Sequence, residues 1–91
     1  MSDQIIVTVY GVDNVGIVAK VTAKLAELTV NIEDIKQTLM QGHFVMFMLC
    51  NISKSQYSFK EIKESLTKCG EGMGMEIWVQ KKEIVDIMHK I

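Results

Sequence analysis

Hydrophobic and polar positions change period along this chain, and each change marks an element. Residues 4–10 are rich in β-branched side chains, with Val7 and Val9 alternating against Ile6, Thr8 and Tyr10, which predicts a strand. Gly11, Val12, Asp13 and Asn14 supply turn chemistry. Val18, Val21, Leu25 and Leu28 then recur at spacings of three and four, with Lys20, Lys24 and Glu27 on the other side. That spacing predicts an amphipathic helix, capped by Asp13 or Asn14. Over residues 30–40 a second strand carries Val30, Ile32, Ile35 and Leu39, and the offset between Ile32 and Ile35 fits a bulge. Gln41 and Gly42 form the tight turn of a hairpin, and residues 43–52 return with apolar side chains on both faces, as an interior strand does.

Ser58 and Glu61 fit a capping box, flanked by Tyr57 and Ile62 at the positions of a hydrophobic staple. The helix begun there presents Phe59, Ile62, Leu66 and Cys69 on one face, with Gly70 and Gly72 as its stop. Met75, Ile77 and Val79 alternate with Glu76, Trp78 and Gln80 in a fourth strand. Finally Ile84, Ile87, Met88 and Ile91 fall on one side of a short terminal helix, with Glu83 in its first turn and Lys90 in its last. The order β-α-β-β-α-β with right-handed crossovers places both main helices on one side of a single antiparallel sheet. This is an α+β fold, the ferredoxin-like two-layer sandwich, with a short C-terminal helix and residues 1–91 as a single domain. The other sheet face is expected to present Ile6, Thr8, Tyr10 and Trp78. A set from the third strand joins them, either Phe44, Met46 and Met48 or Val45, Phe47 and Leu49. So apolar a surface calls for cover, by the terminal helix or by a second subunit.

Composition narrows the functions this fold can carry. The 91 residues are 48% hydrophobic and 23% charged, with a formal net charge of -1. A chain without cationic excess has no electrostatic footprint for nucleic acid. All 10 of its basic residues are lysines, so it has no guanidinium for bidentate grip on carboxylate or phosphate. The longest apolar stretch, residues 44–50, is far short of the roughly 20 residues a membrane helix needs. With an acidic, non-signal-like start, no membrane and a cytoplasmic location are expected. Cys50 and Cys69 sit inside apolar patterns and are expected as reduced core thiols rather than a disulfide or metal pair.

Catalytic chemistry finds no foothold. The first loop has no C-x-x-C for a soft metal, and an acylphosphatase-like reaction would need an arginine. Tyr10 and Phe44 imitate the base-stacking aromatics of RNA-binding sheets only weakly. His43 and His89 are not at metal-ligand spacing, and no serine lies in a nucleophile-elbow pattern. No catalytic set, metal or cofactor is therefore expected. What remains is the segment Asp13, Asn14, Val15, Gly16, a polar turn entering a helix whose first amides are free to meet an anion. Helix capping alone is the simpler use of the same residues.

The run Gly11-Val-Asp-Asn-Val-Gly-Ile-Val-Ala19, then Leu25-Ala-Glu-Leu28, then Val30-Asn-Ile-Glu-Asp-Ile-Lys-Gln37, resembles the ACT domain, a small regulatory module that binds amino acids. It is most similar to the stand-alone, single-ACT proteins of prokaryotes. The strong part of the resemblance covers about the first half of the chain. It implies a non-enzymatic sensor that works as a homodimer and contacts a metabolic enzyme or regulator. As in the regulatory domain of phosphoglycerate dehydrogenase, a small amino acid ligand would lie between the first loop of one subunit and the second strand of its neighbour. Carried over, Asp13 and Gly16 match the loop, with Asn14 and Val15 between them, and Asn31 matches the asparagine that opens the second strand. The sequence departs from that pattern at Gly11, where the serine-binding loop has histidine, at Asp13, where it has asparagine, and at Thr29, where glycine is usual. A structural or partner-docking protein without a small ligand is the alternative.

Overall fold

The structure, a computed structural model, describes the backbone of residues 3–89 and the side chains of residues 3–86. Its elements are β1 (Gln4–Val12), α1 (Ile17–Glu27), β2 (Asn31–Met40), β3 (His43–Asn51), α2 (Phe59–Met73), β4 (Glu76–Lys81) and α3 (Lys82–His89). Every strand pair is antiparallel and the sheet order is β2-β3-β1-β4. Each crossover helix thus passes over one intervening strand, the ferredoxin-like arrangement. Strand alternation sends Ile5, Val7 and Val9 of β1 to the same side as Met46, Met48 and Cys50 of β3 and Ile77 and Val79 of β4. There they meet Ile17, Val21 and Leu25 of α1 and Ile62 and Leu66 of α2, all buried in one cluster. Burying a side chain of this kind stabilises by about 1.5–3 kcal/mol, so this layer carries the fold.

Local chemistry explains most boundaries. The β2–β3 turn sits on Gln41 at φ 52° and Gly42 at φ 81°, the two left-handed residues a tight hairpin demands. The expected bulge lies between Ile32 and Asp34, where the register with β3 shifts by one. Ser58 and Glu61 form the reciprocal capping box at the start of α2.

Three details differ from the sequence reading. Helix α1 is not capped by Asp13 or Asn14: β1 runs on to Val12 and the Asp13 N–H donates to the Gly42 carbonyl at 3.1 Å. The chain therefore enters the helix later, through Gly16 at φ 87°, with no side-chain cap. Ile17 accordingly takes a core place, whereas Val18 is only partly buried. Helix α2 does not stop at Gly70 or Gly72 but at Gly74, in the left-handed conformation. Gly70 is there for contact: a Cβ on it would lie 2.7 Å from Ile77 Cγ1 and 2.8 Å from the Met75 carbonyl oxygen. The side chains of Ile87, Met88 and His89, and all of Lys90 and Ile91, lie outside the described residues.

On the open face the second of the two β3 sets is the correct one. Pairing aligns Trp78, Thr8, Phe47 and Lys36 in one row and Glu76, Tyr10, Val45 and Thr38 in the next. Thr8 is buried between its flanking aromatics, yet Trp78 and Phe47 are themselves about half exposed. Helix α3 packs at the β1 and β4 ends of the sheet and leaves these aromatics uncovered. Tyr10 also stacks on His43, with ring centroids 5.8 Å apart.

Candidate functional site

Two separate places receive the residues singled out in the sequence. The loop Asp13 to Gly16 leaves the end of β1 where Val12 pairs with His43, beside the β2–β3 hairpin. Asp13, Asn14 and Val15 are exposed, and the side chains of Asp13 and Asn14 make no hydrogen bond within the described chain. Gly16 is required by its φ of 87° rather than by crowding, since a Cβ there would meet nothing within 4 Å. Its carbonyl accepts the Lys20 N–H at 3.0 Å, so the helix begins directly after it. Neither a capping side chain nor an acidic residue in the first turn occupies the opening amides. That end of α1 is open to an anion.

Asn31 is at the opposite end. It opens β2 and pairs with Asn51, the last residue of β3, while the first loop lies beyond the other end of the ten-residue β2. At about 3.3 Å per residue this separates Asn31 from the loop by roughly 30 Å. One chain therefore does not bring the two halves together.

Around Asn31 the chain builds a cleft of ≈ 400 Å³, lined by Thr29 and Asn31 together with Asn51, Ser53, Lys54 and Ala26. Asn51, Ser53 and Lys54 were not among the expected site residues. Ser53 and Lys54 belong to a serine-lysine-serine stretch that carries only loop composition; pairing of β2 with β3 sets Asn51 opposite Asn31, and the two residues that follow close behind it line the same cleft. Asn51 is held in place: its Oδ1 accepts the Ser53 N–H at 2.8 Å and its Nδ2 donates to Glu33 at 3.4 Å. Glu33 also accepts from Gln4 Nε2 at 2.7 Å, so this carboxylate is engaged in bracing the strand ends.

The turn entering the cleft is a helix C-terminus closed by two backbone bonds. The Val30 N–H donates to the Leu25 carbonyl at 2.9 Å and the Thr29 N–H to the Ala26 carbonyl at 3.0 Å. These are the paired bonds of a Schellman motif, whose left-handed position is usually glycine. Here it is Thr29, at φ 58°.

Burial first, and then the charge of Glu33, push the Cys50 thiol up to about 11, which keeps it protonated and inert. Among the described residues no group of three or more His, Cys, Asp or Glu side chains is placed to hold a metal ion. No helix among them is long and apolar enough to cross a membrane.

The model of the ACT domain matches residues 3–80, from the start of β1 through β4. The chain belongs to the ACT domain family. A UPF0237 protein of Listeria innocua is 50% identical over 86 residues, a span of 94% of this chain and 97% of that protein. Among solved structures, an ACT domain protein from Streptococcus pneumoniae superposes with a TM-score of 0.82 at 33% identity, covering 93% of this chain and 96% of that one. The regulatory subunit of aspartate kinase from Thermus thermophilus shares the fold, with a TM-score of 0.67 at 23% identity over 87% of this chain and 51% of that one. The ACT domain, the family to which this chain belongs, is typically regulatory and binds amino acids.

Proposed function

We propose that this ACT protein is a non-enzymatic amino-acid sensor whose binding site is completed by a second copy. The observation that carries the reading is the separation of the two half-sites along β2. An antiparallel two-fold pairing of β2 with its copy sets the Asn31 end of one strand against the Met40 end of the other. The first loop of one subunit then comes next to Asn31 of its partner. Strand β2 suits the pairing, being a ten-residue edge with Ile35 44% and Leu39 60% exposed on its helix-side face. An uncovered apolar edge of that length is a liability in water.

In such a dimer the carboxylate of an amino acid faces the amides after Val15 and Gly16, and its ammonium pairs with Asp13 or is held by Asn31 across the boundary. Asn14 contributes a second polar side chain to the same loop. Binding that draws the two edges together changes the surface offered to an enzyme or regulator.

The test is equilibrium binding of the common amino acids, with light scattering to follow the dimer. Asp13→Ala and Asn31→Ala should each weaken binding by roughly 1.5–3 kcal/mol, the cost of a lost charge-assisted contact, while leaving the dimer intact. A strict monomer at micromolar concentration, or no response to any amino acid at millimolar concentration, refutes the reading. The exposed aromatics Trp78, Phe47 and Tyr10 favour the second reading, a partner-docking protein without a small ligand. That reading requires Asp13 and Asn31 variants to behave as wild type in every binding assay.

A further inference from the structure

We propose that the cleft beside Asn31 receives the ligand's side chain and that Lys54 selects an acidic one, so that the preferred ligand is a dicarboxylic amino acid. This rests on the amino-acid-binding reading above and adds to it the ligand's class. Of the residues lining the cleft, Lys54 is the one that carries a charge. Its ammonium makes no ion pair or hydrogen bond with the described chain, and the side-chain amide of Asn31 makes none either. A cation and an amide without partners thus line one cleft, together with the hydroxyls of Thr29 and Ser53, while the Asn51 side chain is engaged.

A helix C-terminus ordinarily disfavours an anion, because its last carbonyls are unpaired and partially negative. Here three of the last four are engaged by backbone donors. Lys24, Leu25 and Ala26 accept from the N–H groups of Leu28, Val30 and Thr29, and the Leu28 carbonyl accepts the Ser55 hydroxyl at 2.6 Å. Glu33, the nearby carboxylate, does not line the cleft and is bonded to Gln4 and Asn51. Among the cleft's own lining residues Lys54 therefore supplies the positive charge. At ≈ 400 Å³ the cavity falls in the range of small-molecule pockets, roughly 300–1,000 Å³. With the main-chain carboxylate and ammonium held at the partner's first loop, a second carboxylate two or three bonds away reaches the cleft and pairs with Lys54, while Asn31 donates to it.

The experiment compares isosteres by calorimetry: L-glutamate against L-glutamine, and L-aspartate against L-asparagine, with glutarate and inorganic phosphate as anions without an ammonium. For wild type at low salt, the acid of at least one pair should bind about tenfold or more tightly than its amide, as a charge-assisted bond provides. Lys54→Gln should bring that ratio close to one without weakening the amide, and Lys54→Arg should largely restore it. Asp13→Ala should weaken acid and amide alike. Lys54 is exposed, so both variants are expected to melt as wild type without ligand, which separates a lost contact from a lost fold. Amides binding as tightly as acids, a ratio unmoved in Lys54→Gln, or glutarate and phosphate matching glutamate would each overturn the inference. In those cases neutral amino acids that still bind through Asp13 leave the sensor reading standing. Silence from every amino acid removes both.

Discussion

Thr29→Gly should stabilise this protein although it deletes a side chain and touches no core residue. Thr29 holds φ 58° at the left-handed position of the α1 Schellman turn, with both closing backbone bonds intact. Left-handed geometry costs an L-residue about 1–2 kcal/mol, through the contact of its Cβ with the following carbonyl. Glycine removes that contact but gives back about 0.5–1 kcal/mol in extra unfolded-state freedom. Nothing else enters the balance, because Thr29 is exposed and its hydroxyl makes no hydrogen bond within the described chain. From the midpoints of these ranges the net gain is about 0.75 kcal/mol, which corresponds to an increase of roughly 3–6 °C in Tm for a domain of this size. Urea and thermal unfolding at one fixed protein concentration measure it, since association would otherwise move the midpoint. Thr29→Ala keeps the Cβ and should gain little. A neutral or destabilised Thr29→Gly with an unchanged m value would refute the strain argument. The strained residue forms a wall of the cleft, so any affinity that falls as stability rises would tie the strain to the site.

Other consequences are more direct. Gly70→Ala should destabilise by about 1–3 kcal/mol in denaturant titration, because the new methyl meets the Met75 carbonyl, which cannot step aside as a side chain can. Leu25→Ala, at a fully buried position between α1 and the sheet, should cost about 2–5 kcal/mol by the same assay. Cys50 should resist alkylation in the folded protein at pH 8. Its folded pKa near 11 lies above the value of 9.0 it would otherwise have, so the unfolded chain loses the proton first. Stability from this group is therefore constant below pH 9 and falls as pH rises toward 11, and Cys50→Ala should abolish that part of the alkaline slope.

The chain's own periodicity determined the elements and, outside β3, which face is apolar. Alternation at Ile5, Val7 and Val9 and the three-four spacing of Val21, Leu25 and Leu28 are local patterns, and burial followed them. The capping box at Ser58 and the turn at Gly42 were equally legible, because each is a rule about neighbours in sequence. Glycine was less so: Gly70 and Gly72 read as a helix stop, but the close approach that explains Gly70 comes from β4, which the local pattern does not contain. Likewise the cap of α1 moved from Asp13 to Gly16 because a backbone bond to the distant Gly42 prolongs the strand. The choice of Val45, Phe47 and Leu49 for the open face needed the register with β1, since β3 is apolar on both sides. The site divides in the same way. Asp13, Gly16 and Asn31 were readable as a family pattern, while Lys54 became a candidate only when β2–β3 pairing set Asn51 opposite Asn31. That juxtaposition joins residues twenty positions apart, and only the folded sheet, which satisfies their backbone groups together, specifies it.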